Sequence, residues 1–207
     1  MTRILLTGST GYVGGLLRTQ LEALDDLHIR CLVREGGSPS GRSEMVVGDL
    51  LHPDTLGPAM EDIDIAYFMV HSMGSPGSFE EMDRRAAHHF GNAARQAGVR
   101  RIIYLGGLGG GDELSAHLRS RQEVGAILAS YVPTLELRAS IVLGSGSLSF
   151  EMIRALVERL PMMVTPKWVE IQAQPIAIGD LLDYLVQSIT VPIGGGRVIE
   201  VGGADRC

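Results

Sequence analysis

Short, nearly continuous apolar runs alternate along this chain with longer segments whose apolar residues recur three or four positions apart. Ile4 to Thr7, Leu27 to Val33, Glu44 to Val47, Ile63 to Val70, Arg101 to Leu105, Leu135 to Leu143 and Arg197 to Val201 are the β-prone runs. The run at Ile63 to Val70 has polar residues only at its borders, as expected of a strand covered on both faces. Between the runs, helical spacing predicts a first helix from Tyr12, packed through Leu16, Leu17, Leu21 and Leu24. Further helices are predicted over Glu80 to Ala97, closed by Gly98 as a C-cap, over Leu114 to Ala129, and over Ser149 to Leu160. Such alternation specifies an α/β protein, a Rossmann-like doubly wound parallel sheet with helices on both faces. Its expected strand order is 3-2-1-4-5-6 with a late extra strand. The connection from the second run to the third, Glu35 to Arg42, is short for a parallel crossover, so its helix must shrink to a turn.

The first strand runs directly into Gly8-Ser9-Thr10-Gly11-Tyr12-Val13-Gly14. Gly8 permits the tight turn, Gly11 lets the backbone approach a pyrophosphate, and Gly14 lets the helix pack closely on the sheet. The free N–H groups of the helix start and the helix dipole favour an anion there. A Gly-rich turn without ligand is the plainer alternative. The position between a strand and a helix, at the head of a βα series, selects the dinucleotide reading. At the tip of the second strand, where an NAD enzyme places an acid on the adenosine ribose, stands Arg34. A guanidinium suits a 2′-phosphate, so NADP is preferred, with NAD as the alternative and Glu35 next door a partial counter-charge.

Composition narrows the picture further. The 207 residues suffice for one domain with a sizeable core. Net charge is −6, aromatics are 5% and no basic block occurs, which argues against a nucleic-acid surface. No apolar run reaches the ~20 residues of a membrane span, and the N-terminus lacks a signal-peptide pattern. Two cysteines, Cys31 and Cys207, form no disulfide framework, so a reducing cytoplasm is the expected location. Adjacent His88 and His89 point to different helix faces, and no spacing of His, Cys and carboxylates points to a metal. The end shortly after a predicted strand points to a C-terminal truncation. Residues 1–207 are read as a single NAD(P)-binding domain, with 145–175 as a small substrate or lid region. In that region Met152, Met162, Met163 and Trp168 line an apolar pocket or simply pack, Ser149 caps the helix after it, and Pro161, Pro166 and Pro175 punctuate it. Arg138 on the sixth strand needs a carboxylate, and Glu136 lies two residues away on the same face.

The T-G-x-x-G-x-x-G spacing resembles the short-chain dehydrogenase/reductase superfamily in its extended and atypical branches. The likeness extends through Leu137-Arg138-Ala139-Ser140-Ile141-Val142-Leu143-Gly144 to Pro175-Ile176-Ala177-Ile178-Gly179-Asp180-Leu181. It points to NmrA-like proteins and to epimerase/dehydratase-like proteins. The resemblance implies that Gly48-Asp49-Leu50 flanks the adenine, the acid near its amino group and Leu50 against its face; a helix cap is the other reading of Asp49. It also implies that Val70 and His71 stand beside the nicotinamide half.

Ordinary members carry Ser or Thr at the end of the fifth strand and Tyr-x-x-x-Lys on the next helix. There the tyrosine exchanges a proton, and the lysine holds the ribose and lowers the tyrosine pKa. Here that strand ends in Gly106-Gly107, and His117-Leu118-Arg119-Ser120-Arg121 occupies the helix register. Arg121 is thus the ribose ligand and His117 the candidate acid and base, two residues that share a helix face. A solvated pair on a helix without a catalytic set is the alternative. Two functions follow: an NADP(H)-using oxidoreductase or nucleotide-sugar epimerase-like enzyme acting on a small molecule, or a regulatory module that senses NADP(H) and signals to a protein partner through the Glu80–Ala97 and Leu114–Ala129 helices. The family tendency to pair through these helices makes a homodimer the expected assembly.

Overall fold

The computed structural model describes residues 1–35, 41–71, 79–110, 114–159 and 173–204. Strand β1 (Thr2–Thr7) leads into helix α1 (Tyr12–Glu22), followed by β2 (Leu27–Val33), β3 (Glu44–Val47), a 3-10 turn (Pro53–Thr55) and α2 (Leu56–Met60). Next come β4 (Ile65–Phe68), α3 (Phe79–Gln96), β5 (Arg101–Gly107), α4 (Ala116–Tyr131) and β6 (Thr134–Ala139). The chain continues through β7 (Val142–Leu143), α5 (Leu148–Arg159), β8 (Ile176–Ala177), α6 (Ile178–Gln187) and β9 (Arg197–Val201). The main sheet has seven strands in the order β3-β2-β1-β4-β5-β6-β9, and every pairing in it is parallel. This is the predicted order, with β9 as the late strand on the β6 edge.

Each face of the sheet buries its own apolar cluster. One joins Leu5, Ala66, Phe68, Ile102 and Tyr104 to α2, α3 and α4 through Leu56, Met60, Phe90 and Leu128. The other joins Ile4, Leu6, Cys31, Tyr67 and Ile103 to α1 and α6 through Leu17, Leu21, Leu181 and Leu185. Because helices cover both faces, consecutive strand residues are buried, which is why the strands read as unbroken apolar runs. At about 25 cal/mol per Å² of apolar surface removed from water, these two clusters are the main favourable contribution to folding.

Several sequence expectations change in detail. Leu16 and Leu24 are 39% and 37% exposed, so α1 packs through Leu17 and Leu21 alone of the four leucines. The Leu135–Leu143 run is two strands. β6 stops at Ala139, and β7 leaves the main sheet to pair with β8. Asp49 is not a helix cap: the 3-10 turn begins after His52, while the Asp49 carboxylate accepts from the Leu51 amide at 2.8 Å, a local Asx turn. Ser149 lies inside α5 and so cannot cap it. Gly98 does cap α3, at φ +75°, donating to the Arg95 carbonyl. His88 and His89 do face apart, His88 meeting the Tyr131 hydroxyl and His89 the Leu50 carbonyl. Pro161, Met162, Met163, Pro166, Trp168 and Cys207 lie outside the described residues. Met152 is 58% exposed.

Candidate functional site

The sheet order reverses between β1 and β4, so their carboxyl ends diverge, and open α/β sheets bind ligands in the crevice at such a point. The β1–β4 ladder ends at Leu6 opposite Tyr67. Beyond it the Thr7 hydroxyl takes over. It donates to the Tyr67 carbonyl and accepts from the Met69 amide, both at 3.0 Å, and so clasps the two strands where the crevice opens. The sequence marks Thr7 as β-prone and as the first residue of the T-G-x-x-G-x-x-G spacing, neither of which indicates this clasp.

The glycine turn follows. Gly8 has φ +70°, and a Cβ there would lie 2.7 Å from the Met69 carbonyl oxygen. At Gly14 a Cβ would come within 2.2 Å of the Gly8 carbonyl oxygen, so α1 is seated directly on the turn. Gly11 differs. Its absent Cβ would touch only the Gly8 carbonyl oxygen, at 3.3 Å, and the residue is exposed. That open side is what a close-approaching phosphate requires. No side chain caps the start of α1 and no acid stands in its first turn. The first intrahelical bond there runs from the Gly15 amide to the Gly11 carbonyl, which leaves the amides of Tyr12 and Val13 for an anion. Thr10 is exposed beside them. Ser9 is buried, its hydroxyl turned into the fold towards Cys31, so only its backbone faces the crevice. The Tyr12 hydroxyl is buried without a partner, over Gly144, whose Cβ would sit 2.4 Å away. The cradle therefore has the shape and donors for a dinucleotide pyrophosphate.

At the carboxyl end of β2, Arg34 is exposed. The Leu51 amide, with His52 and Arg34 adding, holds the Asp49 carboxyl below its ordinary range. Leu50 is 8% exposed and belongs to the core on the α3 side. Across the crevice, just past β4, Val70 is half-buried and His71, exposed as a residue, sets its ring against that of His117, which shields the imidazole from water.

The second half of the site stands at the carboxyl end of β5. This strand runs on through Gly106 and Gly107, whose missing side chains the structure accounts for. A Cβ at Gly106 would meet Glu136 Oε1 at 2.6 Å, and one at Gly107 would meet Leu118 Cδ2 at 2.7 Å. The space a hydroxyl-bearing residue would fill is thus taken from α4 and β6. The Glu136 carboxylate lies between Gly106 and Gly125 and pairs with Arg138 at 2.8 Å, as the spacing predicted. Ser115 caps α4, accepting from the Leu118 amide, and this fixes the helix start. One turn of α4 then presents His117 and Arg121 together. The Arg121 Nη2 donates to the Leu105 carbonyl at 2.6 Å, while its buried Nε has no partner. Tyr104 is buried in the packing and donates to the Arg121 carbonyl at 3.0 Å.

His117 and His71 approach edge to face with ring centroids 6.0 Å apart, and Phe79 lies 6.2 Å from His117. Packing and the Arg121 cation disfavour a proton on either imidazole. His71 is pulled down to about 4 and His117 below its usual value, with Asp83 opposing both shifts. Both rings are therefore neutral at pH 7. Among the described residues no three His, Cys, Asp or Glu side chains are grouped to hold a metal, and no helix is long and apolar enough to cross a membrane.

Known proteins share the family and the fold. Residues 8–147 match the family described as NAD(P)H-binding. A 65-residue stretch is 42% identical to sanguinarine reductase from Eschscholzia californica, covering 30% of this chain and 24% of that protein. The whole fold superposes on MoeE5 in complex with UDP-glucose and NAD at a TM-score of 0.81 and 18% identity, over 100% of this chain and 78% of the other. It superposes equally on the UDP-N-acetylglucosamine 4-epimerase of Bacillus cereus, at 0.81 and 15% identity, over 100% and 77%. UDP-glucuronic acid 4-epimerase from the same organism, in complex with NAD, gives 0.79 and 18% over 99% and 78%. At such identities the structural likeness speaks for the fold, and the sequence match over most of the chain speaks for the family. The chain belongs to the NAD(P)H-binding family, and its fold is the Rossmann-like fold of these epimerase structures.

Proposed function

We propose that this chain is an NADP(H)-dependent oxidoreductase in which Arg34 selects the 2′-phosphate, Arg121 holds the nicotinamide ribose and His117 moves the substrate proton. The observation that carries the reading is the meeting of His117 and His71, 6.0 Å apart, at the strand ends beside Arg121, whose buried Nε has no partner. The exposed residues Thr10 and Gly11 and the amides of Tyr12 and Val13 take the pyrophosphate. Gly8 shapes their turn, and Ser9 lines it through its backbone. Asp49 and Leu50 border the adenosine half, Val70 and His71 the nicotinamide half. Bound there, the nicotinamide supplies or accepts a hydride. The protein moves the accompanying proton at a ring nitrogen of His117. The neutral imidazole present at pH 7 accepts it from a substrate hydroxyl, and the imidazolium formed at lower pH donates it to a carbonyl oxygen. The substrate is a small molecule carrying such a group.

Leu118 over Gly107 favours a second reading, in which the nucleotide is bound and sensed but no chemistry follows. One experiment separates the two. The purified chain is titrated with NADPH and NADH by nicotinamide fluorescence, and oxidation is then followed against carbonyl and quinone substrates. The enzyme reading expects turnover that falls about 100-fold or more in His117→Ala, within the range of a lost general acid or base. Binding without turnover supports sensing, and turnover unchanged in His117→Ala removes the proton-transfer role.

A further inference from the structure

Tyr12 belongs to two parts of the molecule. Its amide opens α1 and has no intrahelical acceptor, since the first bond of the helix runs from Gly15 to Gly11. Its side chain leaves the cradle and lies on the turn between β7 and α5. A Cβ at Gly144 would come within 2.4 Å of the Tyr12 hydroxyl and 2.6 Å of Ile178 Cγ2. One at Gly146 would meet the ring edge at 3.5 Å, so the two glycines leave a seat for the ring. The seat is firm. Gly146 has φ +84°, and its amide donates to Glu151 Oε1 at 3.3 Å. The Ser147 amide donates to the Gly144 carbonyl at 3.0 Å and the Ser147 hydroxyl to the Val142 carbonyl at 3.1 Å. Yet the Tyr12 hydroxyl is buried and has no hydrogen-bond partner. A buried hydroxyl without a partner costs stability that phenylalanine in the same place would not. Packing therefore accounts for the ring and not for the oxygen.

We propose that Tyr12 holds the nucleotide twice: its amide takes the pyrophosphate, and its hydroxyl donates, directly or through one bound water, to an oxygen of the nicotinamide half. The direction of the side chain selects that half. The chain enters β7 from β6, which lies on the β4 side of the crevice, whereas β2 and Arg34 lie on the β1 side. The hydroxyl stands one side-chain length from the amide, so a nucleotide resting on the amide passes within its reach. A phosphate or ribose oxygen there supplies the acceptor that the fold withholds. A bond to an ionised phosphate is stronger than a neutral one, and a site poor in water strengthens it further. The assignment rests on the reading of the cradle as a nucleotide site and is independent of proton transfer at His117.

The test is a calorimetric binding measurement on the full chain, parent and Tyr12→Phe, with NADPH and with 2′,5′-ADP, which carries the adenosine half alone. NADH and AMP take their places if the chain prefers NAD. Melting of the nucleotide-free proteins is followed alongside. Tyr12→Phe keeps the ring and removes the oxygen. Its dissociation constant for NADPH is expected to rise about 5-fold or more, and that for 2′,5′-ADP to stay within about 2-fold. Its nucleotide-free melting temperature is expected to be equal or higher, and a lower one would give the hydroxyl a partner in the fold and overturn the proposal. Unchanged NADPH affinity overturns it as well. So do equal losses for both ligands, which would mean that the ring shapes the cradle without meeting the nicotinamide half. Gly144→Ala is the second variant, its Cβ displacing the hydroxyl; the same selective loss is expected, and a folded Gly144→Ala that binds both ligands as the parent does overturns the proposal. A parent that binds neither ligand refutes the cradle reading and this proposal with it. A parent that binds both, beside an unaffected Tyr12→Phe, refutes this proposal alone.

Discussion

At the scale of single residues, the three glycines of the cradle do different work. Gly8 and Gly14 are required by backbone that stands 2.7 and 2.2 Å from where their Cβ atoms would be, whereas Gly11 is left open on the side a phosphate approaches. Arg34 belongs at this scale as well. If it clamps a 2′-phosphate by charge-assisted hydrogen bonds, Arg34→Asp weakens NADPH binding about 10-fold or more and leaves NADH nearly unchanged. Equal losses for both nucleotides in a fluorescence titration would show that the guanidinium does not read the phosphate. The cradle was legible because its glycines are spaced by a backbone turn that has few solutions. The Thr7 clasp, the turned-in Ser9 hydroxyl and the seat of Tyr12 on Gly144 were not, since each depends on residues far along the chain or on which side of the chain faces in.

Elements were predicted with the same selectivity. Strands β2 and β3 have the bounds that apolar patterning indicates, because both are framed by polar residues. The Leu135–Leu143 run misled because β7 stays apolar while it changes sheets, to pair with β8. In α1, Leu16 matches the helical period yet falls at the edge of the buried face, Leu24 lies beyond the helix end, and of the four leucines only Leu17 and Leu21 reach the core. Strand β6 carries a polar pair into the packing between β5 and α4. Glu136 is 5% exposed at the side chain and Arg138 21%, and Gly106 and Gly125 leave room for the carboxylate. Arg138→Ala strands that carboxylate, at a cost of about 2–3 kcal/mol, somewhat below the range for fully buried pairs because Arg138 is partly solvated. Urea denaturation measures it, and a loss under about 0.5 kcal/mol, the level of a surface pair, would mean that the two charges are held independently.

The molecule as a whole answers to pH through its histidines. His71, lowered to about 4 from an ordinary 6.5, and His117, lowered in the same direction, take up protons more readily unfolded than folded. The unfolded chain therefore binds more protons as pH falls from 6.5 towards 4, and the fold loses stability across that window. Asp49, Asp64 and Glu123, held below their ordinary values, add losses only at more acid pH. The urea midpoint is expected to be lower at pH 5 than at pH 7, with His71→Gln removing part of the difference. An undiminished difference in that variant would assign the acid sensitivity elsewhere.

The clasp at Thr7 also limits how the molecule can move. Its hydroxyl is engaged by an acceptor on β4 and a donor just past it, so prising β1 from β4 breaks two bonds at once. Any tightening around a nucleotide must then come from the segments that rise above the strand tips, while the floor beneath them stays rigid.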